Sequence, residues 1–185
     1  MFGGGYLKKI VVSQPMFLPW VGLFEQIKIA DNFVHYDDAQ MPQGRSFMSR
    51  VQVKTSNGMK WLSIPIRRNG RQLIKDVEID DSKNWKESHL GILSQCYMSA
   101  KYGTYAVDLV ESLYQYETDS LADFCIEITE KIADFLGVKR EFSISSNYNF
   151  SSSSSRKLLN IVMALNGNVY VTGHGAKNYL DHELF

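Results

Sequence analysis

The chain has 185 residues with 20 basic and 20 acidic side chains, so its formal net charge is zero. A chain of this length fits one globular domain or a domain and a half, and its 44% hydrophobic residues can form a core; we expect a single domain over residues 1–185. Zero net charge argues against a nucleic-acid partner, and no apolar run reaches the roughly 18 residues that a membrane span requires.

The predicted elements follow a glycine-rich start, residues 1–7, which we expect to be a flexible tail and not a signal peptide. The β-branched residues 9–12 predict a strand. Apolar side chains at three- and four-residue spacing then predict a helix that begins near residues 19–22, and residues 32–36 predict a second strand. Strand, helix and strand within about thirty residues predict a right-handed βαβ unit with parallel strands.

Three polar residues leave these two strands at their carboxyl ends, where α/β sheets bind ligands. Gln14 follows the first strand, and Asp37 and Asp38 follow the second. Adjacent residues of a strand point to opposite faces, so we expect one carboxylate to face a ligand. The other would orient Arg45 or Arg50. The alternative is that both carboxylates cap local loops.

The middle of the chain predicts a β-hairpin followed by helices. Residues 51–54 and 61–64 flank Asn57-Gly58, the strongest short hairpin signal. Pro65 places the returning strand at a sheet edge or at its own end, and Gly137 is expected as the C′ residue of the last helix. The other elements predicted here are a strand over residues 76–79, a helix capped by Asp81 or Ser82 that runs to Cys96, and helices over residues 105–116 and 120–136.

The C-terminal part predicts a second turn that a ligand could use. The serine run 151–155 is expected to be a solvated linker that supplies an N-cap. A later strand passes into Thr172, Gly173, His174 and Gly175, and backbone N–H groups at the following helix start could bind an anion. A plain tight turn is the other interpretation. The remaining elements are strands over residues 141–144 and 168–171, a helix over residues 156–165 and a helical segment over residues 176–180.

Together these elements predict an α/β fold: a Rossmann-like, parallel or mixed sheet with an inserted β-hairpin and a helical middle region. If the first, second and last strands share one parallel sheet, Gln14, the carboxylates and residues 172–175 should line one cleft. The two cysteines, Cys96 and Cys125, lack metal-ligand spacing, so we expect no metal site and a reducing, cytoplasmic setting. No motif indicates a cofactor or an oligomeric state.

The sequence resembles the WbqC-like protein family along nearly its whole length after Tyr6. The residues that carry the resemblance are Gln14-Pro15, Phe17, Pro19, Gly22, Phe24, Ala30-Asp31, Phe33-Val34, Tyr36-Asp37-Asp38, Arg50, Gly58, Trp61-Leu62, Pro65, Trp85, His89, Tyr97, Leu136-Gly137, Ser145-Ser146, Arg156, Leu158, Tyr170, Gly173, Gly175 and Tyr179-Leu180. The resemblance implies a bacterial protein of surface-polysaccharide or O-antigen gene clusters, with glycine or another acyl group transferred to a sugar. It also implies a further C-terminal segment beyond Phe185.

A remoter resemblance concerns the fold. The opening strand, Pro-containing loop, helix and second strand are similar to the start of HUP-type nucleotidylyltransferases. Their His-x-Gly-His motif would fall on Trp20-Val21-Gly22-Leu23, where both histidines are missing. This resemblance therefore implies an HUP-like fold without the adenylyl-transfer chemistry.

Two classes of function follow. The first is an acyl or aminoacyl transferase that acts on an amino sugar or a nucleotide sugar. An imidazole, whose unperturbed pKa is about 6.5, suits a general base, and we expect His89 in that role, with Asp37 or Asp38 holding the acceptor. The alternative for His89 is a structural role. The second class is a ligand-binding or assembly component without chemistry of its own. The expected substrate-binding residues are Gln14, Trp20, Arg50, Trp61, Arg156, Thr172, Gly173, His174 and Gly175; for Trp20 and Trp61, core packing is the alternative.

Overall fold

The structure is a computed structural model that describes residues 6–44 and 46–185. Residues 1–5 of the expected tail and Arg45 lie outside these ranges. Four short 3-10 helices supplement the strands and α-helices. In chain order the latter are β1 (Lys9–Ser13), α1 (Val21–Ile29), β2 (Asn32–His35), β3 (Arg50–Thr55), β4 (Gly58–Ser63), β5 (Ile66–Arg67), β6 (Glu78–Ile79), α2 (Trp85–Tyr97), α3 (Gly103–Leu113), α4 (Leu121–Phe135), β7 (Glu141–Ile144), α5 (Ser154–Ala164) and β8 (Val169–Val171).

The described residues form two compact units. The first contains residues 6–14, 20–38 and 133–185. The second contains residues 15–19 and, without Arg45, residues 39–132. None of the helices formed by the described residues combines the length and the apolar character that a bilayer crossing requires.

The first unit is built on a parallel sheet with the strand order β7-β2-β1-β8. β1 pairs with β2 from Ile10 opposite Asn32 to Ser13 opposite His35, which confirms the predicted βαβ unit. Renumbered within the sheet, this order is 3-2-1-4, as in the first four strands of a Rossmann fold. The α/β, Rossmann-like prediction is therefore confirmed.

Helices cover both faces of this sheet. The crossovers from β1 to β2 and from β7 to β8 run in opposite directions, so right-handed connections place α1 and α5 on opposite faces. Every residue of β2 is buried, as expected for a strand covered on both sides. The core on the α5 face contains Ile10, Val12, Val34, Leu158, Ile161, Val162, Ala176 and Leu180.

The second unit contains the predicted hairpin. β3 and β4 pair antiparallel, with Val51 opposite Leu62 and Thr55 opposite Gly58. Gly58 has a φ of 103°, a left-handed conformation that glycine adopts without steric strain. The strand predicted over residues 76–79 is shorter: a 3-10 helix at Ile74–Asp76 precedes the two-residue β6.

The helix ends test two predictions about capping. Gly137 lies at C′ of α4 with a φ of 72°, and Val138 N–H donates to the Ala133 carbonyl at 2.8 Å, which confirms the expected cap. The serine run behaves differently. Ser153, within the serine run, occupies the N-cap position of α5 as predicted, but its hydroxyl makes no capping hydrogen bond.

Replacement of Gly167 should destabilise the first unit. A Cβ atom there would lie 2.3 Å from Ile10 Cγ1 and 3.0 Å from Val162 Cγ1, so Gly167→Ala should lower the free energy of unfolding by about 1–3 kcal/mol. The matched control is Gly91→Ala in α2, where a Cβ meets nothing within 4 Å and helix propensity predicts a gain of up to about 1 kcal/mol. Urea unfolding measures both. Equal midpoints for Gly167→Ala and the parent would contradict the packing of Gly167.

Candidate functional site

All four strands of the first unit end at the same side of the sheet because they are parallel. We call this side the carboxyl end of the sheet. Gln14 follows β1 there, Asp37 and Asp38 follow β2, and Thr172 follows β8. The topology therefore brings the two turns singled out in the sequence to one end of the sheet, together with Ser145 after β7.

Asp37 is buried and fully engaged inside the first unit. Its Oδ1 accepts hydrogen bonds from Ser145 Oγ at 2.9 Å and from Ser146 N–H at 3.0 Å. Its Oδ2 accepts a third from Ser146 Oγ at 2.6 Å. These bonds attach the turn after β2 to the start of the 3-10 helix Ser145–Tyr148. Asp37 therefore positions the two turns relative to each other.

Asp38 forms a buried ion pair with Lys157 of α5. Lys157 Nζ lies 2.5 Å from Asp38 Oδ2, and the two side chains are only 9% and 11% exposed. The same Nζ lies 5.3 Å from the centre of the Tyr36 ring, within cation–π range. Burial and the charge of Asp38 raise the pKa of Tyr36 to about 12, so its hydroxyl stays protonated at neutral pH.

The expectation that the two carboxylates point to opposite faces is wrong. Ser145 Oγ lies 2.9 Å from Asp37 Oδ1 and 2.5 Å from Asp38 Oδ1, so both carboxylates meet at one hydroxyl. The reason is that β2 ends at His35 and the carboxylates lie in a turn, where strand alternation does not apply. Among the described residues, the hydrogen-bond partners of the two carboxylates are Ser145, Ser146 and Lys157. Arg45 lies outside these residues.

The turn after β8 is exposed from Thr172 to Gly175. The helical segment predicted over residues 176–180 is a five-residue 3-10 helix, His174–Asn178. Neither Gly173 nor Gly175 lies in the left-handed region. A Cβ at Gly175 would meet nothing within 4 Å, and one at Gly173 would meet only Gln26 Nε2 at 3.6 Å. The internal packing of the protein therefore does not require glycine at either position.

Trp20 lies at the start of α1, at the carboxyl end of the sheet, and is 63% exposed. A Cβ on Gly22 would fall 2.0 Å from its ring, so the glycine makes room for the indole. Gln14 is half-buried, and its side-chain amide makes no hydrogen bond with the described residues. An exposed aromatic face and an available amide therefore accompany the β8 turn.

Lys157 is the main residue that the sequence interpretation missed. The neighbouring Arg156 was expected to bind substrate, but it is exposed, whereas Lys157 is buried against Asp38. The helical periodicity of the sequence indicates that Lys157 is buried. Lys157 precedes Ile161 by four residues and lies beside Leu158, so it shares the apolar face of α5. Ser145 and Ser146 were noted only for the family resemblance.

His89 lies in the second unit, inside an aromatic cluster. Ser63 N–H donates to its Nε2 at 3.1 Å, so the ring proton sits on Nδ1 and donates to Tyr114 Oη at 3.0 Å. Trp85 and Phe17 pack against the imidazole, with ring centres 5.3 and 5.8 Å away. Burial lowers the pKa of His89 to about 4. Both nitrogens are occupied, an arrangement typical of a structural histidine.

Arg50 and Trp61 lie together on the hairpin of the second unit. The Arg50 guanidinium carbon is 4.0 Å from the centre of the Trp61 ring, and Phe47 lies 5.9 Å from the same ring. The residues expected to form one site thus divide between the units. The first unit contains Gln14, Trp20, Asp37, Asp38, Arg156, Thr172, Gly173, His174 and Gly175, and the second contains Arg50, Trp61 and His89.

The fold and this arrangement define an α/β protein with a Rossmann-like sheet and a polar cluster at its carboxyl end. The chain belongs to the WbqC-like protein family, which it matches over residues 14–185. It is 28% identical over 182 residues to "Uncharacterized protein Rv1507c" of Mycobacterium tuberculosis (strain ATCC 25618 / H37Rv), covering 97% of this chain and 78% of the relative. No solved structure matches the chain significantly.

The ion pair predicts a large effect of removing Lys157. Lys157→Met leaves the Asp38 carboxylate buried without its cation and should lower the free energy of unfolding by about 3–5 kcal/mol. Lys28→Met makes the same chemical change at an exposed position of α1 and should stay within about 0.5 kcal/mol of the parent. Urea denaturation compares the three proteins. A Lys157→Met chain as stable as the parent would show that the pair contributes nothing.

The buried imidazole predicts a pH dependence of stability. Below pH about 6.5 the unfolded chain protonates His89, whereas the folded chain resists protonation until about pH 4. The stabilisation by His89 is therefore complete above that range and disappears as the pH falls through it. His89→Gln should lower the Tm at pH 7.5, and its difference from the parent should shrink towards pH 4.5. The exposed His182→Gln is the control, and a difference independent of pH would contradict the assignment.

Proposed function

We propose that this protein binds a sugar or a nucleotide sugar at the carboxyl end of its sheet during the synthesis of bacterial surface polysaccharide, such as O-antigen. There it would transfer an acyl or aminoacyl group, glycine among the candidates, to an amino sugar. Membership of the WbqC-like family supports the setting. The free cysteines Cys96 and Cys125 support a reducing cytoplasm, where nucleotide sugars would be the form of the acceptor.

One observation carries the location of this site. In a 3-2-1-4 sheet, the order in which successive strands are added reverses between strands 1 and 4, here β1 and β8. Ligands bind outside that switch point. Gln14, Trp20 and the Thr172–Gly175 turn belong to the segments after these strands. They supply an amide, an aromatic face for a sugar ring, and backbone open to close approach by a ligand.

The roles of the titratable groups differ from those expected from the sequence. An amine that attacks a carbonyl must lose a proton, which requires a base with a free lone pair. His89 has both nitrogens engaged, so we propose a structural role for it. His174, exposed in the β8 turn, is the base that we propose in its place. Asp37 and Asp38 would position the segments that surround the site.

A binding protein without chemistry is the second candidate. It is favoured by the hydrogen bonds that engage both oxygens of Asp37 and both oxygens of Asp38 within the fold, so neither of these two carboxylates is dedicated to proton transfer. Mass spectrometry of an amino sugar nucleotide incubated with acetyl-CoA or a glycyl donor separates the two functions. A transferase should give acylated product that His174→Gln fails to form, whereas a binding protein gives none with either chain.

Gly175→Ala should weaken ligand binding without affecting stability. A methyl group there meets no protein atom, but it would occupy the space through which a ligand approaches the backbone. Isothermal titration with UDP-N-acetylglucosamine should give a Kd about tenfold higher than that of the parent, in the range expected for one misplaced methyl group. Gly91→Ala is the control. An unchanged Kd for Gly175→Ala would place the ligand elsewhere.

A further inference from the structure

The ammonium group of Lys157 has more donors than the fold uses. A lysine carries three N–H donors, and among the described residues the structure gives Lys157 one acceptor, Asp38 Oδ2. The same ammonium group also lies over the face of the Tyr36 ring. The residue is 7% exposed, so little bulk water reaches the remaining donor. Buried donors without acceptors are uncommon because they lose the hydrogen bonds of water.

The charges around this ammonium indicate which acceptor it suits. Asp38 lies against it, and Ser145 links Asp38 to Asp37, so two carboxylates and one cation belong to the same hydrogen-bonded cluster. The formal charge of the cluster is therefore negative. A phosphate or carboxylate ligand would be repelled by two nearby carboxylates, whereas an uncharged hydroxyl group would not.

We propose that Lys157, Asp38 and the Tyr36 ring form a subsite for a hydroxyl group of an uncharged sugar ring. The subsite rests on the proposed function and deepens it, because it assigns the sugar and not the phosphates of a nucleotide sugar to this cluster. The hydroxyl oxygen accepts a hydrogen bond from Lys157 Nζ. Its proton is donated to Asp38 Oδ2, which has a lone pair beyond the one used by the lysine.

A hydroxyl is the group that matches both partners at once, since it accepts and donates through one oxygen atom. The Tyr36 ring lies beside the same ammonium group, so the subsite has an aromatic neighbour. The neutral Tyr36 hydroxyl adds no charge that would favour an anion.

Titration calorimetry with two probes isolates the contribution of the sugar. The ratio of the Kd for UDP to the Kd for UDP-N-acetylglucosamine measures how much the sugar adds to binding. Lys157→Met should reduce this ratio about tenfold, the value of one hydrogen bond to a charged group, and leave the Kd for UDP unchanged. Lys28→Met, an exposed lysine of α1, should leave both constants at parent values.

A folding control keeps the test interpretable. Lys157→Met leaves Asp38 unpaired, so the double variant Asp38→Asn with Lys157→Met, which removes both charges, is titrated beside it. Circular dichroism and a cooperative urea transition establish that each variant is folded at the titration temperature. Loss of the sugar contribution in the folded variants supports the subsite.

Three results would overturn the proposal. An unchanged ratio in the Lys157 variants shows that the sugar does not use the lysine. Equal weakening of UDP and UDP-N-acetylglucosamine assigns Lys157 to the phosphates or to the fold alone. If the parent binds neither nucleotide, the proposed function fails. The subsite is then tested by itself, by saturation-transfer NMR with millimolar free N-acetylglucosamine. A signal that depends on Lys157 would retain the subsite, and its absence from the parent would dismiss it.

Discussion

Asp37 and Asp38 bind groups that lie 107 to 119 residues further along the chain. Their partners are the serines after β7 and Lys157 in α5. Parallel strands have no hairpin to hold them together, and bringing such distant segments together opposes folding through lost chain entropy. The bonds of the two carboxylates join these segments where the strands end and the helices diverge. The polar groups at the carboxyl end of the sheet therefore serve the fold as well as any ligand.

Much of the fold could be predicted because its signals are local. The change of hydrophobic periodicity from strand to helix and back predicts the β1–α1–β2 unit. Asn57-Gly58 predicts the hairpin, and Gly137 predicts the end of α4. The strand order could not be predicted in the same way. β7 and β8 are four and three residues long, and their places beside β2 and β1 depend on pairings across more than one hundred residues. Nothing in so short a strand specifies its neighbour.

The positions of the candidate residues at strand ends could be predicted from the sequence, whereas their contacts could not. Asp37 and Asp38 could be found because they follow a strand, but their direction depends on β2 ending two residues before Asp37. Lys157 was overlooked because helical lysines are mostly exposed, although its phase matched the apolar face of α5. Its burial depends on Asp38, a partner that no local pattern reveals. Ion pairs between distant segments become visible only once the tertiary structure is known.

His89 and Lys157 show why burial alone does not identify a functional group. Every hydrogen-bonding atom of His89 is satisfied inside its unit, by Ser63 and Tyr114, and burial lowers its pKa to about 4, which keeps the ring neutral. Such a group has no hydrogen-bonding atom left for a ligand. Lys157 is equally enclosed, yet among the described residues it has one acceptor for its three donors. What separates the two is the number of hydrogen-bonding groups left over, and our proposal assigns the surplus donor of Lys157 to a ligand at the carboxyl end of the sheet.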